Sequence, residues 1–163
     1  MICGLARDVV KTLPTVMKKL ELLGSKFDDF KIVVFENDSI DGSLELLKYW
    51  EKVNPRVELI TDKLGTPKWS SVPDLERMEQ MASCRNRYLN HIRSMEFEFD
   101  YLLVFDLDIS LGFSYDGLAH TFSYTNWDVV GSNGVLVPPF GNPIPNPMFY
   151  DAFAFRAKAL GEL

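Results

Sequence analysis

The chain has 163 residues, the length of one ordinary domain, and its composition of 47% hydrophobic and 25% charged residues excludes intrinsic disorder. Acidic side chains outnumber basic ones, 23 against 17, for a formal charge of −6, and the lack of a Lys/Arg-rich stripe argues against a nucleic-acid partner. No apolar run approaches the ~18 residues that a transmembrane segment needs.

Hydrophobic periodicity predicts strands that alternate with helices along the chain. The clearest strand of the first half is the β-branched run KIVVF, which is followed by a turn cluster of Asn, Asp, Ser and Gly. The predicted elements in chain order are a strand over 2–6, a helix over 13–23, a strand over 31–35, a helix over 43–52, a strand over 56–60, a helix over 75–95, a strand over 101–105 and a strand over 128–131. Residues 61–73 are predicted to form a loop, and the proline-rich stretch 138–147 predicts an extended segment.

This alternation predicts an α/β fold with a Rossmann-like, mainly parallel sheet flanked by helices. In such sheets, ligands bind at the carboxyl ends of the strands. Polar clusters begin where three of the predicted strands end, at Ala6-Arg7-Asp8, Glu36-Asn37-Asp38 and Asp106-Leu107-Asp108. We therefore expect these clusters to converge on one edge of the sheet.

Two carboxylates, Asp106 and Asp108, directly follow a predicted buried strand. Just past a strand end the backbone can turn, so that both carboxylates reach one site. Carboxylate oxygens are hard ligands that suit Mg²⁺ or Mn²⁺, and either ion can bridge a diphosphate. The alternative is a strand that simply ends in solvated aspartates.

The turn that follows the predicted strand over 31–35 contains both structural and candidate functional residues. Asp41 or Ser43 can cap the following helix, and Gly42 suits a tight turn. Glu36 is different, because it ends a hydrophobic strand and is expected at the edge of the sheet. A carboxylate in that position could accept hydrogen bonds from a base or from a sugar hydroxyl.

The long predicted helix carries an arginine on its apolar side. Met78, Ala82, Leu89 and Ile92 form a stripe at helical spacing, and Arg85 falls in the middle of it. A charge among core positions must be paired, because an isolated buried charge is very costly. The partner of Arg85 is either an internal carboxylate or a bound anion such as phosphate.

Both cysteines, Cys3 and Cys84, fall in segments that are predicted to be core. They are expected to be buried, reduced thiols rather than a disulfide. With no signal-peptide pattern at the start, this predicts a cytoplasmic location.

Taken in order, these segments resemble glycosyltransferases of the GT-A fold. The likeness is carried by VVFENDSIDGS at 33–43, ASCRN at 82–86 and FDYLLVFDLD at 99–108. Three further segments are similar to the fungal capsule-associated mannosyltransferase group, namely GLARD at 4–8, WDVV at 127–130 and YDAFAFR at 150–156.

The resemblance implies a donor site and a metal site. It assigns Arg7, Glu36, Asp38, Arg85 and Asp106 to the nucleotide sugar, and Asp106 and Asp108 to a Mn²⁺ or Mg²⁺ ion. Asp108 is the main metal ligand in this scheme, and Asp106 reaches the ribose or the metal. On the acceptor side, Asp151 is the best remaining carboxylate for a catalytic base.

The expected function is therefore metal-dependent glycosyl transfer from a nucleotide-sugar donor to a hydroxyl of a glycan or another acceptor, as in polysaccharide biosynthesis. The whole chain, 1–163, would form one nucleotide-sugar-binding domain, with an acceptor half that is minimal or cut short. No transmembrane segment is expected, which leaves peripheral association with a membrane open.

Two other functions remain open from the sequence. A truncated module could bind a nucleotide sugar without turnover. A haloacid-dehalogenase-type phosphatase also uses an Asp-x-Asp pair, but it has the pair after the first strand of its domain, whereas three predicted strands precede Asp106 here.

Overall fold

The computed structural model describes residues 1–68, 75–109 and 112–131. The chain divides into two compact units, Met1–Tyr115 and Asp116–Leu163, and all the described strands lie in the first. The elements in chain order are β1 (Ile2–Ala6), α1 (Leu13–Gly24), β2 (Ile32–Asn37), α2 (Ser43–Val53), β3 (Val57–Asp62), α3 (Leu75–Ser94), β4 (Leu103–Asp106) and α4 (Tyr115–Thr121).

The four described strands form one parallel sheet in the order β3-β2-β1-β4. Ile2 at the start of β1 pairs with Ile32 on one side and with Leu103 on the other. All six residues of β2 are buried, as expected for a strand of a parallel sheet that is covered on both faces. The predicted α/β fold with a parallel sheet flanked by helices is therefore confirmed.

Helix α3 packs against β1 and β2 through a stripe that differs from the predicted one. Its buried residues are Cys84, Tyr88 and Ile92, each four positions from the next. Met78 is 58% exposed and Ala82 is also exposed, so the predicted stripe is wrong in its first half. The tyrosine and cysteine contribute more apolar contact here than the aliphatic pattern indicated.

Two side-chain contacts tie α3 to β3 on the outer part of the sheet. His91 Nε2 lies 2.6 Å from Glu58 Oε1, and Arg87 forms an ion pair with Asp62 at the carboxyl end of β3. Together with the buried stripe, these contacts determine the position of α3 and hence of Arg85.

The predicted strand over 128–131 is wrong. These residues have no regular secondary structure, and the side chains of Val129 and Val130 are 88% and 50% exposed. Two adjacent valines in a polar context do not provide enough apolar surface to hold a strand against the sheet. The short helix α4 was not expected, and the proline-rich stretch 138–147 lies outside the described residues.

None of the helices in the described ranges combines the length and the apolar character that crossing a membrane requires.

The close approach of β1 and β4 gives a first prediction, for Gly4→Ala. A Cβ atom at Gly4 would clash with the carbonyl oxygen of Phe105 and with Cδ1 of Leu107. We expect the variant to lose about 1–3 kcal/mol of unfolding free energy, because overpacked positions force backbone shifts. Chemical denaturation measures the loss. Gly131→Ala is the control, since a Cβ there meets no atom of the described residues within 4 Å, and equal stability of the two variants would contradict the prediction.

The two thiols give a second prediction. Cys3 and Cys84 are buried and form no disulfide, as predicted. Burial raises the pKa of Cys3 to about 11, although the Tyr88 hydroxyl and the N-terminal amine act in the opposite direction. Burial also raises the pKa of Cys84. Since the thiolate is the reactive form, a thiol reagent such as DTNB should label neither cysteine of the native protein at about pH 8, and both in denaturant. Rapid labelling of the native protein would contradict this.

Candidate functional site

The polar clusters that follow the strands lie at one edge of the sheet. The register of the parallel strands pairs Ala6 with Glu36, and Leu5 with Asp106. Asn37 at the end of β2 pairs with Asp62 at the end of β3. The predicted convergence at the carboxyl ends is therefore confirmed, and we call this region the carboxyl edge.

Glu36 is the most unusual group at the carboxyl edge, because its side chain is charged and only 2% exposed. One oxygen, Oε1, accepts a hydrogen bond of 2.8 Å from the backbone N–H of Ser39. Among the described residues, Oε2 makes no hydrogen bond, and no Lys, Arg or His forms an ion pair with the carboxylate. Oε2 is not fully buried, since Arg7 Nε is the one fully buried side-chain nitrogen or oxygen without a partner in that part of the chain. Glu36 therefore has an oxygen that can accept hydrogen bonds from a ligand.

The turn between β2 and α2 is structural, as predicted, but neither Asp41 nor Ser43 caps the helix, because the N-cap residue of α2 is Gly42 and no side chain makes a cap hydrogen bond. Asp41 Oδ1 accepts hydrogen bonds from the backbone N–H and the hydroxyl of Ser43, at 3.0 and 2.6 Å. Gly42 has a φ of 92°, which favours glycine. The Ser43 hydroxyl in turn accepts a 2.8 Å hydrogen bond from the N–H of Val9, so this turn also holds the chain that follows β1.

Asp8 connects the ends of β1 and β2. Its backbone N–H donates to the Ser39 hydroxyl at 3.0 Å, and its Oδ1 accepts from the N–H of Ile40 at 2.9 Å. Its other oxygen, Oδ2, is 2.8 Å from Lys68 Nζ. The hydrogen bonds from Lys68 and then from Ile40 lower the pKa of Asp8.

Arg7 does not extend toward open solvent but contacts the chain that follows β3, which we call the 65–68 segment. Its Nη2 donates to the carbonyl of Thr66 at 2.7 Å, and its Nη1 donates to the Thr66 hydroxyl and to the carbonyl of Pro67, both at 3.2 Å. Nε is buried and has no hydrogen-bond partner among the described residues. Arg7 therefore has a structural role in this state and one unsatisfied donor.

Asp38 holds the same segment from the end of β2. Its Oδ1 accepts from the N–H of Gly65 at 3.1 Å, and its Oδ2 accepts from the N–H and the hydroxyl of Thr66 at 3.4 and 3.3 Å. Burial opposes ionisation, but the hydrogen bonds from Asn37, Gly65 and Thr66 and the charge of Arg7 lower the pKa of Asp38. The structure thus shows Asp38 as a residue that positions a loop.

The 65–68 segment was missed as a part of the site. The sequence predicted only an irregular loop there, without assigning it a contact. The Gly65-Thr66-Pro67 triplet closely follows the carboxyl end of a strand, and that position is the signal that could have identified it.

Arg85 and Asp106 form an ion pair, with 3.5 Å between Nη2 and Oδ1 and side-chain exposures of 38% and 48%. Of the two partners that the sequence left open for Arg85, the structure shows the carboxylate. Asp108 follows two residues later, beyond the fully buried Leu107. Partial burial of its carboxyl group, together with the nearby charge of Asp106, raises the pKa of Asp108.

Asp106 and Asp108 offer a divalent cation two carboxylates at most, which is not a closed protein site. No cluster of three or more His, Cys, Asp or Glu residues that could hold a metal occurs in 1–68, 75–109 or 112–131. Asp106 already attracts one cationic group, and the pKa of Asp108 is raised first by burial and then by the negative charge of Asp106, which a cation would offset. Mg²⁺ commonly takes one or two carboxylates and completes its shell with substrate phosphates and water.

Asp151, the predicted acceptor-side base, lies outside the described residues. Comparison of the chain with protein-family models, with curated proteins and with solved structures finds no match.

The carboxylates of the carboxyl edge give a third prediction, on the pH dependence of stability. The pKa of Asp41, like those of Asp8 and Asp38, is lowered, since its hydrogen bonds from Ser43 and Val10 outweigh the opposing effect of burial. A group whose pKa is lower in the folded state stabilises the fold above its unfolded pKa of about 3.9, and this stabilisation is lost as the pH falls through the folded value. The unfolding temperature should therefore drop steeply below about pH 4.

Asp41→Asn separates this effect from general acid unfolding. The substitution removes the charge, so the variant should be less stable than the wild type near pH 7 by about 1 kcal/mol, the usual net contribution of an intramolecular hydrogen bond. The difference should shrink as the pH falls below the unfolded pKa of about 3.9 and through the lowered pKa of folded Asp41. Thermal unfolding followed by circular dichroism measures both curves, and a constant difference across this range would contradict the assignment.

Proposed function

We propose that this protein is a metal-dependent glycosyltransferase of the GT-A type that uses a nucleotide-sugar donor. The observation that carries the proposal is Glu36, a buried carboxylate at the carboxyl edge with an oxygen that no described residue satisfies. A group of this kind is suited to accept hydrogen bonds from a polar ligand that reaches the ends of the strands.

The nucleoside part of the donor would lie between Glu36 and the 65–68 segment. Glu36 Oε2 would accept from a sugar hydroxyl or from an N–H of the base. Arg7 and Asp38 support this side of the site, because their hydrogen bonds hold Thr66 beside the ends of β1 and β2. In the proposal they act on the donor mainly by positioning this segment.

The diphosphate part would lie at the end of β4. Asp106 and Asp108 would hold the divalent cation, Mg²⁺ or Mn²⁺, and Arg85 lies beside them. The bound cation supplies neutralisation of the negative charge that develops on the leaving diphosphate. By holding the cation, the two carboxylates would keep the diphosphate close to the end of the sheet, where Glu36 would orient the rest of the donor.

The proposal also covers the acceptor and the location of the protein. The acceptor would be a hydroxyl of a glycan or another molecule, and Asp151 remains the proposed base. The two buried, unbonded thiols support a reducing compartment and hence the cytoplasm.

One observation favours a second candidate, a module that binds a nucleotide sugar without transferring it. Three of the carboxylates at the carboxyl edge, Asp8, Asp38 and Asp41, are engaged in hydrogen bonds that hold the fold. None of these three is available as a base in this arrangement. An assay for the release of nucleoside diphosphate from a nucleotide sugar in the presence of Mn²⁺ distinguishes the two functions, because only a transferase turns over its donor.

Binding of the nucleoside part is tested with Glu36→Gln, the fourth prediction. We expect the full chain to bind a nucleoside diphosphate in calorimetric titration, and Glu36→Gln to bind it about tenfold to a hundredfold more weakly, because hydrogen bonds to a charged group contribute about 1.5–3 kcal/mol. Glu98→Gln is the matched control, with the same charge change at an exposed position ahead of the amino end of β4. Equal binding by the Glu36 variant and the control would contradict the assigned role.

The metal is tested in the same titration with and without Mn²⁺. The wild type should bind the nucleoside diphosphate more tightly with Mn²⁺ present, and Asp108→Asn should lose most of this gain. If Asp108→Asn bound the nucleotide as tightly as the wild type in the presence of Mn²⁺, the role assigned to Asp108 would be wrong.

A further inference from the structure

The ion pair between Arg85 and Asp106 joins two groups to which the proposed function gives different ligands. Asp106 would bind the metal, and Arg85 lies where the anionic diphosphate would arrive, yet in this structure the two side chains contact each other. We propose that Arg85 is an exchangeable counter-ion: it neutralises Asp106 until a divalent cation binds Asp106 and Asp108, and it then moves to the diphosphate. This inference rests on the proposed function and describes how its two ligands are coupled.

The geometry of the pair favours exchange. The closest N–O separation is 3.5 Å, longer than the 2.7–2.9 Å that is typical of charge-assisted hydrogen bonds, and both side chains are more than a third exposed. Exposed ion pairs of this kind contribute little to stability. Other charged pairs at the same edge are closer, such as Lys68 with Asp8 at 2.8 Å.

The helix that carries Arg85 does not need to move for the exchange. Cys84 and Tyr88, on either side of Arg85 in the sequence, are both buried against the sheet, and Arg87 is paired with Asp62. Only the flexible side chain of Arg85 has to change its partner. A long side chain on a fixed helix can do this by rotation about its own bonds.

The charges give the exchange its direction. A divalent cation between Asp106 and Asp108 offsets the repulsion between the two carboxylates and repels the guanidinium of Arg85. The planar guanidinium is well suited to bind two phosphate oxygens at once, so a diphosphate offers it a better partner than the carboxylate it leaves.

Arg85 therefore has opposite effects on the two ligands. Before the nucleotide binds, it competes with the metal for Asp106 and weakens metal binding. Once the nucleotide is bound, it contributes to holding the diphosphate beside the metal. By linkage, each ligand then strengthens the binding of the other.

Titrations of Arg85→Gln test both effects, as the fifth prediction. Without nucleotide, the variant should bind Mn²⁺ about two- to fivefold more tightly than the wild type, since it lacks the competing charge of an exposed ion pair. With Mn²⁺ present, it should bind a nucleoside diphosphate about tenfold more weakly, within the usual range of coupling between sites. Electron paramagnetic resonance of free Mn²⁺ measures the first effect, and calorimetry measures the second.

Two further variants serve as controls. Arg93→Gln removes the same charge from the last turn of α3, where Arg93 contacts Asn90, and it should behave as the wild type in both titrations. Arg85→Lys keeps the charge but not the planar fork, so it should bind Mn²⁺ as the wild type does and recover only part of the diphosphate affinity. Circular dichroism establishes that each variant is folded.

The proposal predicts that Arg85→Gln strengthens Mn²⁺ binding and weakens diphosphate binding, and these opposite changes make the result decisive. Tighter Mn²⁺ binding combined with weaker diphosphate binding supports the exchange, whereas unchanged or weaker Mn²⁺ binding by Arg85→Gln overturns it. If the wild type binds no nucleoside diphosphate at all, the proposed function fails, and the second half of the exchange fails with it. The Mn²⁺ titration contains no nucleotide and still decides whether Arg85 competes for Asp106.

Discussion

The parallel pairing of β1 with both β2 and β4 is the constraint on which the rest of the structure depends. Because β1 lies between these strands, its register places Glu36 beside Ala6 and Asp106 beside Leu5. The chain that leaves β1 then meets the turn after β2 immediately, and Asp8 and Val9 bond to Ser39 and Ser43. Gly4 permits the approach of β4, since any side chain there would meet the backbone of Phe105.

The carboxyl edge is built at some cost in local stability. Asp8 and Asp38 both have φ near +54°, in the left-handed region that is unfavourable for residues other than glycine, and Glu36 is a nearly buried charge. Hydrogen bonds offset the backbone strain, because each of the two aspartates accepts from backbone N–H groups of another segment. Glu36 accepts one hydrogen bond, from Ser39, and its other oxygen makes none with a described residue. A ligand could donate to Oε2 without displacing a protein contact, which is why Glu36 and not the better satisfied aspartates supports the proposed function.

Sequence patterns predicted the strands and helices well where every residue of a segment is buried. They predicted them poorly where the burial of a residue depends on one particular side-chain contact. The bounds of β1 were predicted correctly, whereas β2 begins one residue later than predicted, at Ile32, and includes Glu36 and Asn37, whose polarity marked them as lying beyond the strand. The buried stripe on α3 was predicted wrongly because the prediction relied on the hydrophobicity of Met78. In the structure, Cys84 and Tyr88 are buried because they lie on the side of the helix that faces the sheet. The hydrogen bonds that join Arg7 and Asp38 to Thr66 connect residues far apart in the sequence, and no local pattern encodes them.

The charged side chains at the carboxyl edge fall into two groups that differ in how firmly they are held. The first group, Arg7, Asp8 and Asp38, is firmly held, because each residue makes several hydrogen bonds to backbone groups or side chains. These bonds fix the chain segments around the ends of β1 and β2. Arg85 and Asp106 make one loose contact with each other, next to Asp108. A site that binds a divalent cation and a diphosphate needs both kinds of group. In the proposed site, the firmly held groups would orient the uncharged part of the ligand, and the loosely held ones would change partners when the charged ligands bind, so that Asp106 has a counter-ion before they arrive.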